Sequence, residues 1–148
     1  RIVNVSSVAG RVSTPGMGAY SASKFGLEAL TDALRNEVEQ YGIEAVLVEP
    51  GPVETNFAER ADDSLAVLDR SGAYETLYKL YEDGATFGGS SPVAVRPIDV
   101  AEVVLEAGVT PDPEARYPVG AFADLSLKAR YLPDRVRDTL VGFVSRLL

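Results

Sequence analysis

The sequence contains neither cysteine nor histidine among its 148 residues. The absence of cysteine excludes disulfide bonds, thiolate nucleophiles and zinc sites built on thiolates. The absence of histidine excludes Ser-His-Asp catalysis and metal sites with imidazole ligands, and we predict no metal site. Any proton transfer near neutral pH must therefore be carried by tyrosine, lysine or carboxyl groups.

Positive charge and long apolar runs are also scarce. The chain has 14 Lys and Arg residues against 22 Asp and Glu residues, a net charge of −8. This balance argues against nucleic acid as a partner. No apolar run is long enough to span a bilayer, and we expect a cytoplasmic protein without a membrane partner. Apolar residues make up 46% of the chain, which is typical of a globular fold.

Strand and helix signals alternate along the chain. The segments "RIVNV", "IEAVLVEP" and "ARYPVGAF" are short, apolar and β-branched, which predicts three buried strands. Apolar residues at three- and four-residue spacing predict a helix from about Ala19 to Tyr41: Phe25, Leu27, Leu30, Ala33, Leu34 and Val38. Further helices are predicted within residues 55–83, over "PIDVAEVVLEAGV", and from "LSLKAR" to the end with a break near Pro133.

This alternation indicates an α/β fold with a parallel sheet. Ligands of such sheets bind beyond the carboxyl ends of the strands. The first strand ends at Ser6-Ser7 and the second at Pro50-Gly51. We therefore expect both polar segments at one edge of the sheet.

Tyr20 and Lys24 lie four residues apart and share one face of the predicted helix. A nearby ammonium group favours the phenolate form of a tyrosine, and an oxidised nicotinamide ring would favour it further. Such a pair can donate or accept a proton without histidine. The pair alone favours a solvent-exposed i,i+4 contact over a catalytic role, and a single serine after a strand favours a turn or cap.

Three motifs in order change this balance. The segments "NVSSVAG", "YSASK" and "VEPGPVET" resemble the second half of the short-chain dehydrogenase/reductase family. Ser7 lies thirteen residues before Tyr20, as the family's catalytic serine does before its tyrosine. The three small residues before Lys24 and the Pro-Gly turn after the next strand also fit the family's pattern. The resemblance is strong over residues 1–57 and weaker beyond them.

The resemblance implies a doubly wound Rossmann-type parallel sheet, of which this chain supplies the C-terminal three strands with flanking helices. It implies NAD or NADP as cofactor and hydride transfer between a secondary alcohol and a ketone. Tyr20 would be the general acid/base, Ser7 would polarise the substrate oxygen, and Lys24 would stabilise the phenolate and hold the nicotinamide ribose. The cofactor would also meet Pro50, Gly51, Val53 and Thr55.

The sequence departs from the family's pattern in two ways. It contains no glycine-rich G-x-x-x-G-x-G loop, and it lacks the asparagine that completes the proton relay in many members. We therefore interpret residues 1–148 as the C-terminal portion of one domain, without the cofactor-binding N-terminal half. On this interpretation the 148 residues by themselves are inactive, and the activity belongs to the full-length parent.

The family also suggests a substrate and an assembly. Residues 56–97 fall where members carry a variable substrate loop, and tyrosines there would suit a lipophilic alcohol or ketone. The resemblance is closest to hydroxysteroid-dehydrogenase-like members. Small residues at the start of the 19–41 helix favour a homodimer or homotetramer formed through that helix. Two alternatives remain: a catalytically silent nucleotide-binding or dimerisation module, and a sugar-nucleotide epimerase.

Overall fold

Three parallel strands form the centre of the fold in the computed structural model, which describes residues 1–57, 60, 63, 70–82 and 93–147. The strands are β1 (Ile2–Val5), β2 (Ala45–Pro50) and β3 (Arg116–Val119). The helices are α1 (Gly18–Val38), α2 (Glu75–Glu82), α3 (Pro97–Val109), α4 (Ala121–Ala129) and α5 (Asp134–Leu147). Short 3₁₀ helices cover Val8–Gly10, Glu39–Tyr41 and Gly72–Tyr74.

The strand order in the sheet is β1-β2-β3, and both neighbouring pairs are parallel. Ile2 pairs with Ala45 and Val5 with Val48, while Pro50 pairs with Val119. All six residues of β2 are buried, because this strand is covered on both edges and both faces. The prediction of an α/β fold with three parallel strands and flanking helices is confirmed.

The two faces of the sheet differ in chemistry. Successive side chains of a strand point to opposite faces. Val46 and Val48 pack with Ala107 of α3 and with Val119 in an apolar cluster. The intervening residues, Leu47 and Glu49, therefore lie on the other face, against which α1 packs.

The α1 face is polar where the sequence pattern predicts an apolar one. Leu30 is 63% exposed and Ala33 is also exposed, whereas the buried positions of α1 are Ser21, Glu28 and Thr31. The reason lies in the sheet, because β1 presents Asn4, whose amide donates to Thr31 Oγ1 at 2.8 Å. Thr31 is thus buried opposite a polar group of the sheet rather than an apolar one.

The predicted boundaries agree closely with the structure in several places. Helix α3 spans the predicted segment, and Pro133 separates α4 from α5. Gly42 follows the 3₁₀ turn that extends α1 and has φ of 66°, a left-handed conformation that favours glycine. Within the described residues, no helix has the length and apolar character that crossing a membrane requires.

The predicted helical region 55–83 contains α2, but residues 58–59, 61–62 and 64–69 lie outside the described residues. Residues 83–92 of the predicted substrate loop lie outside them too. Tyr74 is 59% exposed, and Leu77 and Tyr78 are half-buried. The loop's role stays a prediction.

Replacing Leu47 tests whether β2 is the centre of the core. Leu47 is fully buried, and we expect Leu47→Ala to lower the free energy of unfolding by about 2–5 kcal/mol because it removes methyl groups and leaves a cavity. Leu47→Met, which nearly conserves volume, should cost less than about 1.5 kcal/mol. Chemical denaturation of the full-length protein measures both. Equal stability of Leu47→Ala and the unmodified protein would contradict this packing.

Candidate active site

The carboxyl ends of β1 and β2 lie side by side, as the sequence predicts. The backbone N–H of Ser6 donates to the Val48 carbonyl at 2.7 Å, which extends the pairing of the two strands. One residue further on, the Ser7 hydroxyl donates to the Pro50 carbonyl at 3.4 Å. The parallel register therefore brings Ser7 to the Pro50-Gly51 turn.

Ser7 also begins the 3₁₀ helix Val8–Gly10. Its Oγ accepts a hydrogen bond from the Ala9 N–H at 3.1 Å and thereby caps the helix. The side chain is half-buried. The capping bond fixes the oxygen, while the long bond to Pro50 leaves the hydroxyl proton easy to redirect toward another acceptor.

Lys24 links α1 to the end of β1. Its Nζ donates to the Val5 carbonyl at 3.1 Å and lies 5.8 Å from the centre of the Tyr20 ring. A lysine ammonium carries three N–H donors, so two remain for other partners. This contact places the Lys24 ammonium at the end of β1, two residues before Ser7.

The Tyr20 ring lies against Phe57, with ring centroids 5.2 Å apart and planes at 55°. This tilted arrangement is a favourable aromatic contact. Sequence reasoning did not single out Phe57. The sequence shows only that Phe57 is an aromatic residue two positions after Thr55. Its contact with α1 depends on the path of the chain after β2.

The segment after β2 is held by backbone bonds on two sides. The Gly51 N–H donates to the Val119 carbonyl at 3.1 Å. Val53 forms a parallel β-bridge with Val95, and the Thr55 N–H donates to the Val53 carbonyl at 2.8 Å. Thr55 itself is exposed. The turn is therefore a fixed backbone surface next to Ser7.

No contact within the described part of the chain explains why residue 51 is a glycine. Its φ is not in the left-handed region. A Cβ at this position would lie 3.6 Å from the Val119 carbonyl oxygen and 3.7 Å from the Ala123 nitrogen, which are ordinary contacts. Close approach of a ligand to the backbone is a further reason for a glycine. The absence of a side chain at Gly51 fits a cofactor that packs against this turn.

A buried ionic cluster lies behind the site, between α1 and the sheet. Glu28 of α1 and Glu49 of β2 are 5% and 0% exposed. Arg11 and Arg116 reach Glu49 Oε1, each at 3.4 Å. Burial, together with the charge of Glu28, raises the pKa of Glu49 to about 7, although Arg11 and Arg116 act in the opposite direction.

Asp32 extends the cluster by one turn of α1. Arg116 Nη2 donates to both of its carboxylate oxygens at 2.7 Å, and Arg35 donates to Oδ1 at 2.9 Å. Although partial burial raises the pKa of Asp32, these hydrogen bonds outweigh burial and hold that pKa below its usual value. Sequence reasoning missed the cluster, whose one signal was a glutamate inside the otherwise apolar strand "AVLVEP".

Comparison with known proteins supports one family. The model of the family described as short chain dehydrogenase matches residues 1–66. The chain is 38% identical over 143 residues to the uncharacterized oxidoreductase YbbO of Escherichia coli strain K12, covering 95% of this chain and 48% of that protein. It is 35% identical over 144 residues to the NADPH-dependent 3-dehydrocapnine reductase of Ornithobacterium rhinotracheale, covering 95% and 49%.

Two further matches agree. The chain is 49% identical over 71 residues to 17-beta-hydroxysteroid dehydrogenase type 6 of Rattus norvegicus, covering 48% of this chain and 21% of that protein. The crystal structure of a short-chain dehydrogenase from Streptomyces avermitilis matches with a TM-score of 0.64 at 29% identity, covering 97% of this chain and 50% of that one. The chain spans about half the length of the two bacterial relatives.

Gly10 provides a test of the close packing beside Ser7. A Cβ there would lie 2.9 Å from Ser6 Oγ, 3.0 Å from Glu28 Cγ and 3.1 Å from the Lys24 carbonyl oxygen. We expect Gly10→Ala to force these groups apart and to lower the free energy of unfolding by about 1–3 kcal/mol. Gly18→Ala is the control, because nothing lies within 4 Å of its added Cβ. Equal stability of the two variants in chemical denaturation would refute the packing described.

Proposed function

Because the chain belongs to the short-chain dehydrogenase/reductase family, we propose that the full-length protein interconverts a secondary alcohol and a ketone by hydride transfer, with Tyr20 as general acid/base. The observation that carries this proposal is the position of Lys24, whose ammonium lies beside the Tyr20 ring and at the end of β1. Ser7, Tyr20 and Lys24 are the proposed catalytic residues. An NAD or NADP cofactor would supply or accept the hydride.

Proton transfer is the part of the reaction assigned to Tyr20. In the reducing direction its hydroxyl gives a proton to the oxygen that develops from the ketone, and in the oxidising direction its phenolate removes the alcohol proton. The ammonium of Lys24, 5.8 Å from the centre of the Tyr20 ring, would stabilise the negative charge that develops at the site during the transfer. Ser7 donates a hydrogen bond to the same substrate oxygen in place of its long bond to Pro50, and so stabilises the developing charge.

The cofactor would be held at the turn after β2 and by α1. Pro50, Gly51 and Val53 offer backbone groups to the nicotinamide carboxamide, with Thr55 beside them. Tyr20 and Lys24 would hold the nicotinamide ribose, since Lys24 has three N–H donors and uses one for Val5 in the described part of the chain. The similarity to an NADPH-dependent reductase supports a nicotinamide cofactor.

The substrate side of the proposal rests on aromatic residues. Phe57 and Tyr20 form an apolar wall at the start of residues 56–97, which we assign as the substrate loop of this domain. Such a wall suits a lipophilic alcohol or ketone. The similarity to a hydroxysteroid dehydrogenase over 71 residues agrees with this substrate class.

Assembly through α1 is also part of the proposal. Ala19, Ala22, Ser23 and Gly26 are exposed on this helix, and Leu30 is 63% exposed. Small residues around one exposed leucine allow a second helix to approach closely. A homodimer or homotetramer built on residues 19–41 would cover them. A cytoplasmic location remains an expectation from the sequence.

Tyr20→Phe in the full-length enzyme should reduce turnover at least ~10²-fold while cofactor affinity stays nearly unchanged, because only the proton-transferring hydroxyl is lost. Lys24→Ala should impair both turnover and cofactor affinity, because it removes the positive charge and the ribose contact together. Absorbance of the reduced nicotinamide, with lipophilic alcohols and ketones as substrates, measures turnover, and calorimetric titration measures affinity.

Tyr131→Phe is the matched control, since Tyr131 is 81% exposed and lies outside the helix proposed for assembly. It should leave both quantities unchanged. Small and equal effects of Tyr20→Phe and Lys24→Ala on turnover would favour a catalytically silent module of the same fold.

A further inference from the structure

Two buried carboxyl groups meet between α1 and β2, behind the proposed active site. The side chains of Glu28 and Glu49 are 6% and 1% exposed. One oxygen of each, Glu28 Oε1 and Glu49 Oε2, is buried and receives no hydrogen bond from any N–H or O–H donor in the described part of the chain. A buried carboxylate oxygen without a donor is costly, whereas a proton between two carboxyl groups satisfies both.

The surrounding cations compensate these two carboxyl groups poorly. Arg116 Nε lies 3.4 Å from both Glu28 Oε2 and Glu49 Oε1, so a single N–H serves two acceptors. Arg11 Nη1 lies 3.4 Å from Glu49 Oε1 and 3.9 Å from Glu28 Oε2. The shortest contacts of Arg116, at 2.7 Å, go to Asp32 instead.

The other charged neighbours have partners of their own. Arg35, on α1, donates to Asp32 and to the Ala45 carbonyl. Arg130, at the end of α4, donates to the Arg11 carbonyl. Lys24, one turn before Glu28, donates to the Val5 carbonyl. No cation in the described part of the chain therefore makes a close bond to both glutamates.

We propose that Glu28 and Glu49 share one proton, and that this proton holds α1 against β2 and so positions Tyr20 and Lys24 relative to Pro50 and Gly51. The connection on each side is short. Glu28 lies one helical turn after Lys24, and Glu49 directly precedes Pro50. Both glutamates are positioning residues. The positioning role rests on the proposed function, whereas the shared proton does not.

A shared proton makes stability depend on pH in a defined direction. The pKa of Glu49 is raised from 4.5 to about 7 by burial and by the charge of Glu28. Between these values the folded protein keeps a proton that the unfolded chain has lost, so the contribution to stability is complete below pH 4.5 and is lost as the pH rises through about 7. Above about pH 7, the carboxylates of Glu28 and Glu49 are both charged and repel each other across the contact between α1 and β2.

The test compares melting temperatures of the full-length enzyme between pH 5 and pH 8. Glu49→Gln mimics the protonated group and does not titrate. Relative to the unmodified enzyme, its melting temperature should rise by about 5 °C or more from pH 5 to pH 8. Glu106→Gln, at an exposed position of α3, is the control and should run parallel to the unmodified enzyme. A parallel curve for Glu49→Gln would overturn the shared proton.

Glu28→Gln tests the sharing itself. Removing the neighbouring negative charge should move the remaining titration to lower pH. An unchanged titration would show that Glu49 holds its proton alone.

Infrared spectra of the unmodified enzyme give a measurement that does not depend on any variant folding: the carbonyl band of a protonated carboxyl group should be present at pH 5.5 and fade by pH 8. Its absence at pH 5.5 would refute the proposal.

The positioning role has a separate kinetic readout. In the unmodified enzyme the KM for the cofactor should rise several-fold between pH 6.5 and pH 8.5. Glu49→Gln should flatten that rise, while kcat should change with pH in the same way in both proteins. A flat KM in both proteins, with the melting curves as expected, would remove the positioning role and leave the shared proton. Absence of any cofactor binding would refute the proposed function. The melting curves would still test the shared proton.

Discussion

The parallel pairing of β1 with β2 is the constraint on which the rest of the site depends. Because Val5 pairs with Val48, the two strands end at the same edge of the sheet. Ser7 then meets Pro50, and the Lys24 ammonium reaches the last carbonyl of β1. A shift of one residue in this register would exchange the two faces of β1 and separate these groups.

The two faces of the sheet do different work. The α3 face is an apolar core of Val46, Val48, Ala107 and Val119, which supplies stability through burial. The α1 face buries Leu47 together with several polar groups, and hydrogen bonds such as that from Asn4 to Thr31 require a defined position of the helix. Apolar contacts tolerate small shifts of a helix better than hydrogen bonds do, because hydrogen bonds weaken steeply with distance and angle. A polar interface is therefore well suited to fix the helix that carries Tyr20 and Lys24.

The elements of the fold were predictable because their signals are local. The strands stand out as short β-branched runs, and α3 ends where its apolar pattern ends. The buried face of α1 was not predictable in the same way, because a pattern of apolar residues favours Leu30 and Ala33 over Glu28 and Thr31. Which face of α1 is buried depends on Asn4 and Glu49, which lie in strands distant in sequence. The apolar periodicity of the helix itself contains no information about those residues.

The candidate site shows the same division. Ser7, Tyr20 and Lys24 were singled out because their motifs and spacing resemble those of the family. The structure brings Ser7 to Pro50 and Lys24 to the end of β1. Phe57 was not identified, because its contact with Tyr20 depends on the course of the chain after β2. The Glu28–Glu49 pair was missed because a glutamate in an apolar strand suggests a buried partner, but the sequence does not show which residue that partner is.

The most direct test of the account concerns Ser7, whose proposed role at the substrate oxygen depends on the strand register that brings it to Pro50. The measurement is the single-turnover rate of hydride transfer by the full-length enzyme carrying Ser7→Ala, with Ser6→Ala as the adjacent control. Ser6 Oγ is buried without a hydrogen-bond partner in the described part of the chain, so its loss should change the rate little. The account predicts that Ser7→Ala lowers the rate by about 10²–10³-fold with cofactor affinity retained. An unchanged rate in Ser7→Ala, or equal losses in both variants, would contradict it.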